Sequence, residues 1–169
     1  LAGYEQGYER QGKPDEVLLN DAVALAKKDA VDVVLAVVGL DERSESEGLD
    51  RSTMAIPQVQ NDLVTALAKT GKPVVIVLVA GSPVELPWFN DVAAMLYVGL
   101  SGQAGASATV RALTGEVNPS GHLAETWPMQ YEDCPSSGWY PAIGCDAIYR
   151  EGPFIGYRYY ETANVPVRF

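Results

Sequence analysis

The sequence predicts an α/β fold: a doubly wound, mostly parallel sheet flanked by helices on both faces, which is a three-layer α/β sandwich. Two observations predict this class. Apolar runs of strand length alternate along the chain with amphipathic segments of helical spacing. The runs are nearly continuous rather than alternating apolar and polar, as in parallel strands that are covered by helices. The length of 169 residues is enough for one domain with a core.

The first half of the chain contains a predicted helix, strand and helix in that order. Apolar residues at helical spacing, with acidic residues in the first turn, predict a helix within Pro14–Ala30. The β-branched and leucine run Val31–Leu40 predicts a strand buried on both faces. After the polar segment 41–55, Pro57 begins a second helix that ends at Gly71. This strand-to-helix order is typical of a parallel sheet.

The second half continues the alternation and then becomes irregular. Val74–Val79 and Ala93–Val98 predict two further strands, and Ala106–Leu113 predicts the next helix. The short apolar stretch His122–Trp127 predicts another strand. After a segment without periodicity, the aromatic-rich stretch Tyr149–Tyr160 again has strand character.

Charge and composition exclude several classes of protein. The net charge of −10 and the pI near 4.4 disfavour nucleic acid as a partner and favour a neutral ligand such as a sugar. The apolar runs are shorter than the ~20 residues that a membrane-spanning helix needs, so no membrane segment is expected. Cys134 and Cys145 are too few for a disulfide scaffold, and both free thiols and a bridge across the loop between them remain open.

The segment that follows the first predicted strand concentrates carboxylates. Asp41–Arg51 contains these acidic residues: Asp41, Glu42, Glu45, Glu47 and Asp50. In a parallel sheet, ligands bind outside the carboxyl ends of the strands, where this segment is expected to lie. Crowded carboxylates raise one another's pKa, which suits a general acid near neutral pH. Composition alone favours a solvated acidic loop over a catalytic one.

Several blocks, in one order along the chain, resemble a single enzyme family. The blocks are Val37–Leu40, Glu45–Arg51, Met54–Pro57, Gly81–Glu85, Gly102–Gly105, Asn118–Gly121, Leu123–Pro128, Tyr149–Gly152 and Gly156–Tyr160. Together they resemble the second domain of glycoside hydrolase family 3. The resemblance implies a retaining, exo-acting β-glucosidase that hydrolyses terminal β-D-glucosyl residues of β-glucosides or short β-glucans without a cofactor or metal.

The resemblance also implies how the site is divided between domains. In that family a TIM-like barrel supplies the nucleophilic Asp, an α/β sandwich supplies the acid/base Glu, and a fibronectin-type domain often follows. Residues 1–169 are then a partial sandwich domain, incomplete at the N-terminus, and both chain ends are expected to be cuts. No stretch resembles the barrel's Ser-Asp-Trp nucleophile motif. The alternatives are a β-xylosidase or N-acetyl-β-glucosaminidase of the same family or, for the isolated chain, an inactive sugar-binding or interaction module.

The resemblance assigns roles within the acidic loop. Glu47 is expected to be the acid/base residue, because it directly precedes the block Gly48–Arg51 as the family's acid/base Glu commonly does. Glu45 is the alternative. Asp50 and Arg51 are expected to structure the loop as an ion pair.

Two residues outside the loop have side chains that could contact a ligand. Aromatic residues more often pack in the core, and of the three tryptophans Trp139, in the irregular segment, is the best candidate for a wall near the sugar. His122 is the single histidine of the chain and is expected to be structural rather than a metal ligand or a base.

Overall fold

The computed structural model describes residues 1–142 and 144–169 and confirms the α/β class. The elements, in chain order, are α1 (Glu16–Ala26), β1 (Val34–Gly39), α2 (Gln58–Ala68), β2 (Val74–Val79), β3 (Ala94–Tyr97), α3 (Gly105–Leu113) and α4 (Tyr157–Ala163), with short 3₁₀ turns at Phe89–Asp91 and Tyr131–Asp133. The three strands are parallel and lie in the order β1-β2-β3. No helix in the described ranges is long and apolar enough to cross a membrane.

Local chemistry accounts for the boundaries of the first two helices. The Asp15 carboxylate caps α1 by accepting hydrogen bonds from the backbone N–H groups of Val17 and Leu18, at 2.9 and 3.1 Å. Pro57 immediately precedes α2, where its fixed φ and missing N–H are tolerated. Gly71, with a φ of +81°, turns the chain from α2 toward β2.

The core lies between the sheet and the helices α1 and α2. Val64 of α2 and both Ile76 and Leu78 of β2 are fully buried, and Ala36 and Val38 of β1 belong to the same cluster. Burying a side chain of the valine or leucine size stabilises the fold by about 1.5–3 kcal/mol. This cluster fixes α2 across β1 and β2 and so fixes the strand ends that carry the loops.

Two buried tryptophans extend the core beneath those loops. Trp88 donates its indole N–H to Asn61 Oδ1 at 2.8 Å, and Trp127 donates its own to the carbonyl of Val84 at 2.7 Å. Both rings therefore bury their area without leaving a donor unpaired. The segment after β2 is held to α2 by one ring and to the C-terminal part of the chain by the other.

Two of the predicted strands are wrong. His122–Trp127 is irregular, and the backbone of Trp127 forms hydrogen bonds with Arg168 and Phe169 at the end of the given sequence. Tyr149–Tyr160 is irregular up to Gly156 and then enters α4. The preference of aromatic residues for strands reflects packing on neighbouring strands, and neither segment lies beside the sheet strands as a partner.

Strand β1 is buried on one face only, so the prediction of burial on both faces is wrong. Ala36 and Val38 are buried, whereas the alternate residues Leu35 and Val37 are 53% and 58% exposed. Side chains alternate between the two faces of a strand, and at β1 the helices α1 and α2 cover one of them. The other face of the sheet at β1 is therefore apolar and exposed, and β1 is also an edge strand.

Gly39 ends β1 at a position that has no room for a side chain. Its φ is +145°, and a Cβ built there would lie 1.8 Å from the carbonyl oxygen of Val79. The side chain of Gln60 holds the same residue from α2: its Oε1 accepts from Gly39 N at 2.7 Å and its Nε2 donates to Gly39 O at 2.9 Å. The acidic loop thus leaves the sheet from a fixed point.

We expect Gly39→Ala to lower the free energy of unfolding by about 2–3 kcal/mol or more, because the new methyl group overlaps the β2 backbone in a conformation that side chains disfavour. Urea unfolding of the chain measures this. Gly121→Ala is the matched control, since a Cβ there meets nothing within 4 Å. Equal midpoints for the two variants would contradict the steric argument.

We expect the isolated chain to be marginally stable or to self-associate through the exposed apolar face of β1, which is an edge strand. Val37→Lys should reduce the association seen by analytical ultracentrifugation, because it places a charge on the exposed strand. Val17→Lys, at an equally exposed apolar position on α1, should leave association unchanged. A reversible, cooperative melt of the monomer well above about 60 °C, at the upper end for ordinary domains, would contradict the expectation.

Candidate active site

The acidic loop after β1 carries a tight turn with Glu47 at its tip. The N–H of Leu49 donates to the carbonyl of Ser46 at 3.2 Å, and these two residues form an isolated antiparallel bridge. Gly48, the third residue of the turn, has a φ of +79°, which glycine adopts without steric cost. Glu47 is the second residue and is exposed, and its carboxylate makes no hydrogen bond or salt bridge to any residue in the described ranges.

Glu45, two residues earlier, is attached to the end of β2. Its Oε2 accepts a hydrogen bond from the backbone N–H of Gly81 at 3.1 Å. A Cβ at Gly81 would lie 2.0 Å from the other carboxylate oxygen, so the carboxylate occupies the space next to this glycine. The two glutamates that the sequence proposes for acid/base chemistry therefore have different surroundings: Glu47 is free at the tip, and Glu45 is held at the base.

Asp50 and Arg51 have separate partners. Arg51 Nη1 donates to Ser82 Oγ at 2.7 Å, whereas Asp50 accepts a hydrogen bond from the hydroxyl of Tyr140. No ion pair joins Asp50 to Arg51 in the part of the chain that the structure describes. Burial lowers the pKa of Arg51, and the nearby charge of Glu45 opposes that shift. That both residues structure the loop stays a prediction, with contacts different from the expected pair.

The first two carboxylates of the loop are bound by one arginine. Arg10 Nε lies 3.1 Å from Asp41 Oδ2, and its Nη2 contacts Glu42 Oε2. Burial raises the pKa of Asp41, but hydrogen bonds from the Arg43 N–H and from Arg10 outweigh it and lower the pKa overall. Asp41 and Glu42 therefore fix the start of the loop.

A cavity of about 450 Å³ opens beside the loop. Its wall combines carboxylates, hydroxyl groups and aromatic rings, from Glu45, Asp50, Arg51, Ser82, Glu125, Tyr131, Tyr140, Glu151 and Tyr160 among others. Desolvation at this wall raises the pKa of Glu125 and of the Tyr160 hydroxyl. Polar groups set among aromatic rings are the usual lining of a small-molecule site.

Tyr140 is a cavity residue that the sequence did not reveal. The sequence favoured its neighbour Trp139, whose ring is covered on one face by the guanidinium of Arg150, 3.6 Å from the ring centre. Trp139 does not line the cavity, whereas Tyr140 does and also binds Asp50. The two aromatics are adjacent in an irregular segment, where no periodicity indicates which ring faces inward. Contact of Trp139 with sugar stays a prediction.

The cysteines and histidine add no second centre of chemistry in the described ranges. Cys134 and Cys145 are free thiols, and Cys134 Sγ lies 3.8 Å from the sulfur of Met54. Burial raises the pKa of the Cys134 thiol, which disfavours the thiolate form. Within residues 1–142 and 144–169, no group of three His, Cys, Asp or Glu side chains is arranged to hold a metal ion.

The chain is similar to several known glycosidases. It is 44% identical over 167 residues to thermostable beta-glucosidase B from Acetivibrio thermocellus. This match covers 98% of this chain and 22% of that protein. It is 39% identical over 163 residues to an exo-alpha-(1->6)-L-arabinopyranosidase from Bifidobacterium breve. This match covers 95% of this chain and 21% of that protein. The chain thus spans about a fifth of the length of these relatives.

A solved structure and a family match agree with these similarities. The fold superposes on the crystal structure of a Bifidobacterium adolescentis GH3 beta-glucosidase with a TM-score of 0.89 and 42% identity, over 95% of this chain and 24% of that one. Residues 9–157 match the Glycosyl hydrolase family 3 C-terminal domain. The chain therefore belongs to glycoside hydrolase family 3, and the part of the family to which it corresponds is the C-terminal domain.

Proposed function

We propose that this domain supplies the general acid/base residue, Glu47, of a retaining β-glucosidase. The observation that carries the proposal is that Glu47 is the loop carboxylate left exposed and without a partner among the described residues. The other loop carboxylates have partners. Asp41 and Glu42 bind Arg10, Glu45 accepts a hydrogen bond from the Gly81 N–H, and Asp50 accepts one from the Tyr140 hydroxyl. A proton donor must be free to reach the leaving oxygen of its substrate, and Glu47 meets that condition.

The proposed chemistry needs a second carboxylate from another domain. In retaining hydrolysis, one carboxylate attacks the anomeric carbon while a carboxylic acid, ~5–5.5 Å away, protonates the leaving oxygen and later activates water. We infer that the nucleophile is an Asp of a TIM-like barrel in the parent protein. A turn that projects its second residue away from the sandwich is suited to present an acid to a ligand bound in a neighbouring domain.

We propose β-glucosides and short β-glucans with a terminal β-D-glucosyl residue as substrates. The name of the Acetivibrio thermocellus relative supports glucose. The Bifidobacterium breve relative, at 39% identity, carries the name of an arabinopyranosidase, so similarity in this domain does not by itself select the sugar. A β-xylosidase or N-acetyl-β-glucosaminidase activity of the parent is the alternative, since the barrel would supply most contacts to the terminal sugar.

Glu47→Ala in the full-length parent should lower kcat/KM for glucosides with poor leaving groups by about 10²–10⁴-fold, because general acid catalysis of departure is lost. Aryl glucosides with activated leaving groups should be affected far less, and azide should restore turnover as glucosyl azide. Glu42→Ala, in the same loop but bound to Arg10, is the control. Leaving-group dependence and azide rescue in Glu45→Ala, with neither in Glu47→Ala, would make the assignment wrong.

The isolated chain should not hydrolyse an aryl β-glucoside above the rate in buffer, because we propose that its nucleophile lies outside it. The assay compares the purified chain with its Glu47→Ala variant, so that any contaminating activity is recognised. Turnover that disappears in the variant would show that residues 1–169 contain a complete site. Weak sugar binding without turnover would instead agree with an inactive module.

A further inference from the structure

We propose that Glu45 is a positioning residue for Glu47: its hydrogen bond to Gly81 holds the catalytic turn at the end of β2. The inference rests on the proposed acid/base role of Glu47. Glu45 then has a function other than proton transfer, and the lack of a side chain at Gly81 leaves space for the Glu45 carboxylate.

Both ends of the Glu47 turn are attached to one short segment. Glu45, just before the turn, accepts from the N–H of Gly81 at 3.1 Å. Arg51, just after the turn, donates to Ser82 Oγ at 2.7 Å. Two contacts to adjacent residues restrain both the position and the orientation of the turn, whereas a single contact would leave its orientation unrestrained.

The segment that receives these contacts is itself fixed. Gly81 directly follows Ala80, which is fully buried at the end of β2. Val84 is also fully buried, and its carbonyl accepts the indole N–H of Trp127 at 2.7 Å. One residue further, the N–H of Glu85 donates to the carbonyl of Met54 at 3.0 Å. The segment that contacts the Glu47 turn is therefore fixed by its own contacts with the core.

The absence of a side chain at residue 81 is explained by Glu45. The backbone of Gly81 lies outside the left-handed region, so other residues could adopt its conformation. A Cβ there would, however, lie 2.0 Å from Glu45 Oε1. The glycine thus leaves the space that the Glu45 carboxylate occupies, and Gly81→Ala should act mainly by displacing that flexible side chain, with Leu100 Cδ1 also close at 3.0 Å.

The charge of Glu45 has a second neighbour in Arg51. Arg51 is partly buried and its Nη2 is enclosed without a hydrogen-bond partner among the described residues. Burial lowers the pKa of Arg51, and Glu45 is the charge that opposes the shift. Glu45 therefore lies near both attachments of the turn, at the Gly81 N–H and at Arg51.

The test uses the full-length parent and measures kcat and KM on glucosides with poor and activated leaving groups. Glu45→Ala and Gly81→Ala should each lower kcat on poor leaving groups by about 10–100-fold with a smaller change in KM, as expected when a catalytic group is displaced by about 1 Å. Neither should be rescued by azide, since Glu47 is still present. Glu45→Gln keeps an acceptor oxygen for the Gly81 N–H and should remain within about tenfold of wild type.

The double variant Glu45→Ala/Gly81→Ala gives the most specific readout. It should be no slower than the worse single variant, within about twofold, because both changes remove one contact. Gly102→Ala is the matched control, since a Cβ there meets nothing within 4 Å, and it should behave as wild type. If Glu45→Ala does not fold, the positioning role is tested by comparing the kcat of Glu45→Gln with that of Gly81→Ala, of which the second should be lower.

Three results would overturn the positioning role: multiplicative losses in the double variant, equal losses in Glu45→Gln and Glu45→Ala, or unchanged kcat in all of them. Glu47→Ala, assayed in parallel, separates this inference from the proposed function. If Glu47→Ala shows leaving-group dependence while the Glu45 and Gly81 variants keep their kcat, the positioning role alone fails. If Glu47→Ala shows none, the proposed function fails first.

Discussion

The paired hydrogen bonds between the Gln60 amide and the backbone of Gly39 are the interaction on which the site depends. In a parallel ladder, alternate residues direct their N–H and C=O groups to opposite neighbours. Leu40 donates to Val79 of β2, so the groups of Gly39 face the outer edge of the sheet. Gln60 satisfies both of them from α2, at a buried position where each unpaired group would cost about 1–3 kcal/mol. One side chain thereby replaces a neighbouring strand at the point where the acidic loop begins.

The sequence predicts best those elements whose local pattern and tertiary environment agree. The β-branched runs of β1 and β2 and the amphipathic spacing of α1 and α2 predict their elements to within a few residues, because apolar residues from each pattern pack into the core. The same local rules fail for Tyr149–Tyr160, whose aromatic residues have no neighbouring strand on which to pack. They also overestimate the burial of Leu35 and Val37, because continuous apolar composition cannot show how many faces are covered.

The site is predictable in its chemistry but not in its contacts. The block around Glu47 indicates which loop to examine, because the order of Glu, Gly, Asp and Arg resembles a known family. It does not indicate that Glu45 contacts a glycine 36 residues away, or that Asp50 binds a tyrosine 90 residues away. These contacts depend on strand order and on the path of the irregular segment, which no local pattern encodes. The expected pair of Asp50 with Arg51 was the nearest available choice in sequence, and the folded chain uses more distant partners.

The hydrogen bond between Tyr140 and Asp50 holds one wall of the cavity, and this wall is less firmly held than the core. It joins two residues that are 90 positions apart, and the contact lies at the exposed surface of the domain. The segment around Tyr140 is largely irregular and mostly half-buried, whereas β2 is almost fully buried. Segments of that kind open locally at a small fraction of the global unfolding free energy. We therefore expect this wall to open locally more often than the sheet unfolds, so that the cavity exchanges solvent faster than the domain unfolds.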